Sequence, residues 1–220
     1  MSRCLVLDLD GTLTDSLPDI AAALNRSLAR HGEAPLPIEQ VRPMVGDGVA
    51  QLFLRGYAAR GLTPTPEDMA LGLEDYTAHS TDGTVLYPGA MEAMQALSAA
   101  GWRLAVCTNK PYQPARLLLE HVGLMPLLAA VGAGDSFPVK KPDPDHIRFT
   151  LQAAGGDPEQ SVMIGDHHND VAAGRGAGLP TIFAAWGYGA PEMAAGADAV
   201  AQSFAEVPAL CAQLRPYPAC

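Results

Sequence analysis

Short unbroken apolar runs that end in a polar residue recur along the chain. The clearest are CLVLD (4–8), RLAVCTN (103–109), SVMIGD (161–166) and TIFAAWG (181–187), with LAAVGAGD (128–135) as a weaker one. Runs of this length, bounded by turn residues, predict strands covered on both faces, as in a parallel sheet. Between them lie segments with apolar positions at helical spacing. PGAMEAMQALSAAG (88–101) places Met91, Met94 and Leu97 on one face, with Ser98 beside them, and Gly101 stops it. PYQPARLLLEHVG (111–123) carries Leu117, Leu118 and Val122 and stops at Gly123. Strands alternating with helices predict an α/β fold, a doubly wound, Rossmann-like parallel sheet.

The stretch 15–82 breaks this alternation and shows no strand pattern. SLPDIAAALNRSLARHG has Pro18 in its first turn, Leu17, Ile20, Leu24 and Leu28 on one face, and Gly32 at its end. PIEQVRPMVG, DGVAQLFLRGYAARG and TPEDMALGLEDYTAHS read as three further helices. The expected organisation is a core built from 1–14 and 83–220, with 15–82 inserted as an all-helical cap. The links near TLTDS and TDGTVLYPG are rich in turn residues and are expected to act as hinges.

Composition narrows the function. At 220 residues and 48% hydrophobic, the chain can bury a full core. No apolar run reaches the roughly 18 residues of a membrane span. MSRCLVLDLDG lacks the apolar segment and cleavage site of a secretory leader, so a cytoplasmic location is expected. A net charge of −10 speaks against nucleic acid and anionic lipid as partners. The expected partner is a small molecule, on a monomer or homodimer. Cys4, Cys107, Cys211 and Cys220 show no zinc spacing, which implies reduced, largely buried thiols.

Ligands of an open parallel sheet bind at the carboxyl ends of its strands. There the sequence places Asp8 and Asp10, then Thr108, Asn109 and Lys110, then Asp166 and Asp170, with Lys140 and Lys141 between the last two groups. Clustered carboxylates are costly without a cation. Aspartates on separate loops suit Mg²⁺, a hard ion that favours a phosphate co-ligand. Mg²⁺ and lysine together make a locally positive site on an acidic chain.

The motifs DLDGTLTD (8–15), CTNK (107–110), KKPDP (140–144) and GDHHND (165–170) resemble, in order, the four motifs of the haloacid dehalogenase superfamily. The segments LPDIAAALNRSLARHG, VGDGVAQLFLRG, YPGAMEAMQAL, TNKP and WGYG are most similar to its phosphoglycolate phosphatase branch. The resemblance implies an Mg²⁺-dependent phosphatase of a small phosphate monoester, with 2-phosphoglycolate the first candidate. It makes Asp8 the nucleophile that forms an aspartyl-phosphate, and Asp10 the general acid and then base. Thr12 is expected to orient Asp10. Thr108, the Asn109 backbone N–H and Lys141 bind the phosphoryl group, with Lys140 as the fallback lysine. Asp8, the Asp10 carbonyl and Asp166 are the implied metal ligands, and Asp170 acts through water or by holding a neighbour. Asp10 also speaks against dehalogenation, which needs no acid there.

The cap offers less. Gly46 and Gly48 flank a turn that opens a helix, whose N–H groups can receive an anion, and Arg55 is a candidate cation for a substrate carboxylate. Arg42, Arg26 and Arg60 have weaker claims, Lys110 reads as a rim charge or a weak substrate contact, and Tyr188 as packing. Alternative readings are a sugar- or amino-sugar-phosphate phosphatase, a β-phosphoglucomutase-like phosphomutase, a non-catalytic binding module and a zinc hydrolase on His167 and His168. Adjacent residues are expected to diverge in direction, and no third histidine lies in motif spacing, which speaks against zinc; the large, titratable imidazole of His167 is expected to touch Asp166 or Lys141, or to turn outward.

Overall fold

The computed structural model describes residues 2–216; Cys220 and most of the RPYPAC tail, which reads as frayed, lie outside them. The elements run β1 (Cys4–Leu7), β2 (Thr14–Asp15), α1 (Leu17–Ala29), α2 (Ile38–Val41), α3 (Val49–Ala58), α4 (Pro66–Ala78), β3 (Val85–Leu86), α5 (Ala90–Ala99), β4 (Arg103–Cys107), α6 (Tyr112–His121), β5 (Leu128–Gly132), α7 (Pro144–Ala154), β6 (Val162–Gly165), α8 (His168–Gly176), β7 (Thr181–Ala184), β8 (Ala199–Ala201) and α9 (Val207–Leu214).

Six strands form one parallel sheet in the order β5-β4-β1-β6-β7-β8. β1, β6 and β7 are buried along their whole length, which is why they read as unbroken apolar runs. One face of the sheet packs Leu5, Leu7, Val106 and Ile164 against α5, α6 and α9. The other packs Cys4, Val6, Cys107 and Met163 against α7 and α8. Period-two alternation along β1 sends its residues to these two cores in turn. Chain order reverses between β1 and β6, the switch point where such sheets bind ligands.

Helices α1 to α4 bury a separate apolar cluster, including Leu24, Leu28, Phe53, Tyr57 and Tyr76. Close approach is built from glycines. A Cβ on Gly56 would stand 2.4 Å from Leu24 Cδ1, so α3 lies directly on α1. Where the sequence reading has turn-rich hinges, β2 and β3 pair antiparallel, Thr14 opposite Leu86 and Asp15 opposite Val85. One residue of the stretch read as strand-free is thus a strand residue. Asp19 fastens the second crossing to α1. Its carboxylate accepts from Gly83 N (2.8 Å), Thr84 N (2.9 Å) and Thr84 Oγ1 (2.6 Å).

Cys4, Cys107 and Cys211 are free and buried. No helix among the described residues is long and apolar enough to cross a membrane.

Candidate active site

β1 ends at Leu7, and Asp8 continues it into the rim with its backbone N–H on Ile164 O of β6 at 2.9 Å. The chain then turns sharply. Gly11 holds a φ of +85°, and a Cβ there would lie 2.4 Å from Asp166 Oδ2. Glycine is required both for the backbone and for the approach of the Asp166 carboxylate.

Lys141 is the centre of the charge arrangement. Its Nζ donates to Asp8 Oδ1 at 2.7 Å and to Asp170 Oδ1 at 2.6 Å, and its side chain is only 2% exposed. Burial opposes its charge, but Asp170 and Asp8 outweigh burial and raise its pKa. His146 supports the same residue from behind. Its Nδ1 accepts the Lys141 backbone N–H at 3.2 Å, which leaves Nε2–H to donate to Ala133 O at 3.1 Å. Burial, then the Lys141 charge, lowers His146 to about 4, so the ring is neutral.

Oxygens of Asp8, Asp166 and Asp170 lie within 4.8 Å of one another, all three buried. Burial and the charges of Asp8 and Asp170 push Asp166 up to about 8. Burial raises Asp8 to about 6 against the pull of Lys141. With Asp10, four carboxylates face two ammonium groups, Lys141 and Lys110, a formal imbalance of two negative charges. An all-oxygen donor set with that imbalance fits a hard divalent cation. Asp170 also closes a reciprocal cap on α8: its Oδ2 accepts His167 N at 3.0 Å.

Several expected partnerships differ. Thr12 does not orient Asp10; its Oγ1 donates to Asp166 Oδ1 at 2.9 Å. Ser16, missed in the sequence, takes that role, with Oγ 2.5 Å from Asp10 Oδ1. Lys110 is not a rim charge. It is buried, donating to Asp10 Oδ1 (3.0 Å) and to Tyr76 Oη of α4 (2.6 Å). Burial opposes its charge as well, and Asp10 and Tyr76 more than compensate, so its pKa rises. The chain bends after β4, with Lys110 N–H donating to Thr108 Oγ1 at 3.1 Å, and nothing in the sequence pattern signals that Lys110 turns inward. Tyr188 does more than pack. Its hydroxyl accepts from Ser16 N (2.7 Å) and Leu17 N (2.9 Å) and donates to Asp15 Oδ1 (3.0 Å), and its backbone N–H donates to Asp166 Oδ2 (2.7 Å).

His167 meets neither Asp166 nor Lys141. Its Nδ1 accepts Asn169 N at 3.3 Å as the cap of α8, and its ring lies against Gly46 and does not diverge from His168, the two rings being tilted by 41° with centroids 4.1 Å apart. A Cβ at Gly46, whose φ is +119°, would meet the ring at 2.8 Å. Burial, then His168, lowers His167 to about 4.

A cleft open to solvent lies between the sheet rim and the helices. Asp8, Asp10, Thr108, Asn109 and Lys110 form its floor, and Ile20, Val45, Gly46, Gly48, Val49, Leu52 and Tyr76 its roof. Gly48 precedes α3, which has no side-chain cap at that end. Asn109 Nδ2 joins floor to roof, donating to Gly46 O and Lys141 O at 2.9 Å each. Lys140 reaches Asp47 O (2.7 Å) and not the floor. Arg55 does not line the cavity; its guanidinium is held by Asp47 and by Met44 O. Arg26 pairs with Asp75, and Arg60 with carbonyls of Ala34 and Pro35. Arg42 lines a second, smaller opening to Asp8 and Asp10.

A buried carboxylate at the end of the central strand is thus gripped by lysine and grouped with two further aspartates. Residues 3–178 match the model of the haloacid dehalogenase-like hydrolases, and the chain belongs to that family. It is a phosphoric monoester hydrolase, similar over nearly its whole length to phosphoglycolate phosphatases. That of Rhodospirillum rubrum is 41% identical over 94% of this chain and 90% of its own. That of Caulobacter vibrioides is 41% identical over 96% and 91%. The crystal structure of a predicted phosphoglycolate phosphatase from Haemophilus somnus superposes with a TM-score of 0.85 at 28% identity, covering 94% of this chain and 96% of that one. CbbY from Rhodobacter sphaeroides, in complex with phosphate, superposes with a TM-score of 0.82 at the same identity and coverage.

Proposed function

We propose that this enzyme hydrolyses 2-phosphoglycolate to glycolate and phosphate in the cytoplasm, with Mg²⁺, through an aspartyl-phosphate on Asp8. The observation that carries the chemistry is the Asp8–Lys141–Asp170 arrangement: a buried carboxylate whose Oδ1 is fixed by an ammonium at 2.7 Å, beside Asp10 on the same cavity floor. The substrate assignment draws on the relatives at 41% identity, both phosphoglycolate phosphatases.

Thr108 and the Asn109 backbone N–H receive the phosphoryl oxygens on the cavity floor. Lys141 holds Asp8 in line for attack on phosphorus and stabilises the charge that spreads over the phosphoryl oxygens. Asp10, oriented by Ser16 and Lys110, gives a proton to the leaving alkoxide and then takes one from the water that cleaves the aspartyl-phosphate. Asp8, Asp166 and Asp170 would hold Mg²⁺ with the Asp10 carbonyl, and the bound ion offsets the negative charge of the carboxylates and the phosphoryl group. Residues 15–82 act as a cap that closes over a small substrate and excludes water, swinging on the β2–β3 ribbon.

A panel of phosphorylated metabolites assayed for phosphate release tests this. EDTA should abolish activity and Mg²⁺ restore it, and 2-phosphoglycolate should rank first by kcat/KM. Restoration by Zn²⁺ alone contradicts the metal assignment. A sugar phosphate that ranks first contradicts the substrate, and isomerisation of that sugar phosphate without phosphate release contradicts hydrolysis.

A further inference from the structure

The sequence offers Arg55 as the cation for a substrate carboxylate, and the fold commits that guanidinium to Asp47 and Met44 O, away from the cavity. Among the described residues that line the larger cavity, Lys110 is the cation. We propose that Lys110, with the Tyr76 hydroxyl of α4, forms the subsite for the carboxylate end of the substrate; this rests on the phosphoglycolate reading and names the residues that select it.

The geometry supports the assignment in three ways. First, Lys110 Nζ has three protons and two partner groups: Tyr76 Oη at 2.6 Å and the Asp10 carboxylate, at 3.0 Å to Oδ1 and a longer 3.4 Å to Oδ2 that one proton can share, so a third donor remains for a ligand. Second, Tyr76 accepts from Lys110, so its own phenolic proton is free to donate to the same carboxylate. The ring also stands 4.6 Å from the ammonium, which fixes the pair as a unit. Third, the other roof side chains, Ile20, Val45, Val49 and Leu52, are apolar and offer nothing to a sugar hydroxyl, which leaves the backbone at Gly46 and Gly48 as the remaining polar part of the roof. An ester with a short chain meets the phosphate-binding floor at one end and Lys110 at the other. A buried ammonium in apolar surroundings discriminates strongly, because a neutral end group leaves its remaining donor unpaired.

Lys110 belongs to the floor and Tyr76 to the helical roof, so a carboxylate held by both also bridges the two. Substrates without a carboxylate lack that bridge and should suffer in KM more than in kcat.

The test compares 2-phosphoglycolate with 2-hydroxyethyl phosphate, an ester of equal chain length without the carboxylate. The Lys110→Met variant should lose kcat/KM for 2-phosphoglycolate about 10–100-fold more than for 2-hydroxyethyl phosphate, the worth of one hydrogen bond to a charged group. Tyr76→Phe, which keeps the ring and the fold, should narrow the same preference about 3–10-fold through KM. Equal losses on both esters, or a preference retained in both variants, overturn the subsite and leave Lys110 as a support of Asp10. Wild-type enzyme that hydrolyses both esters equally also overturns the subsite while the phosphatase reading stands. Wild-type enzyme that hydrolyses neither contradicts the phosphoglycolate reading itself.

Discussion

At the scale of single residues, the site depends on side chains whose partners lie far away in sequence. His146 shows how one such residue affects stability. Its ring is fully buried and fixes the Lys141 backbone through a neutral tautomer. Its pKa falls from the ordinary 6.5 to about 4 on folding. The unfolded chain therefore binds the proton more readily between those values. The stabilisation is complete above pH 6.5 and is lost as pH falls towards 4, by on the order of 3 kcal/mol if the full shift is expressed. Urea unfolding at stepped pH should show this slope in the wild type and a flatter one in His146→Asn. An identical slope in the variant assigns the acid sensitivity to other groups.

The residues at strand ends were legible in the sequence. Asp8, Thr108 and Asp166 each follow an apolar run, and the parallel-sheet rule places them together before any coordinate is known. Their partners were not legible. Thr12 binds Asp166, 154 positions on, where its neighbour Asp10 was the natural guess. Arg55 turns to Asp47 and not to the cavity because a carboxylate eight positions back is nearer. Residue type and spacing fix where a backbone goes, whereas the direction of a long side chain is decided by what other segments bring to it.

At the scale of elements, pattern strength tracked burial. α1, with Leu17, Ile20, Leu24 and Leu28 buried on one face, was read directly. α8 was not: HNDVAAGRG has a weak apolar stripe and packs through small residues, with Gly174 so close that a Cβ would meet Thr181 Cγ2 at 2.5 Å. β8 is a three-residue edge strand with Val200 exposed, too short to signal itself. The link between helices and sheet hangs on Asp19, whose buried carboxylate takes three hydrogen bonds from residues 83 and 84. Asp19→Ala leaves those donors unmet and should cost about 2–4 kcal/mol. Thermal unfolding gives the loss as a lowered Tm. An unchanged Tm contradicts the role of Asp19 as the fastening of the second crossing.

At the scale of the molecule, an acidic chain builds a site for an anion. The net charge of −10 would repel a phosphate ester at long range. Two buried lysines offset half of the charge of four carboxylates, and the divalent cation proposed for three of those aspartates would cancel the rest, beneath a largely apolar roof. The sheet rim supplies the floor of the site and the helices its roof, with Asn109, Lys140, Lys110 and Tyr188 reaching across. In the proposed function that arrangement serves one event, the transfer of a phosphoryl group to Asp8.

That transfer can be observed directly. The enzyme is mixed with radiolabelled phosphate ester and Mg²⁺, quenched in acid within a single turnover, and digested. Label is expected on the peptide that contains Asp8 and none in Asp8→Asn, which should be folded and inactive. Full turnover with no label on the protein, or label that persists in Asp8→Asn, would contradict transfer to Asp8.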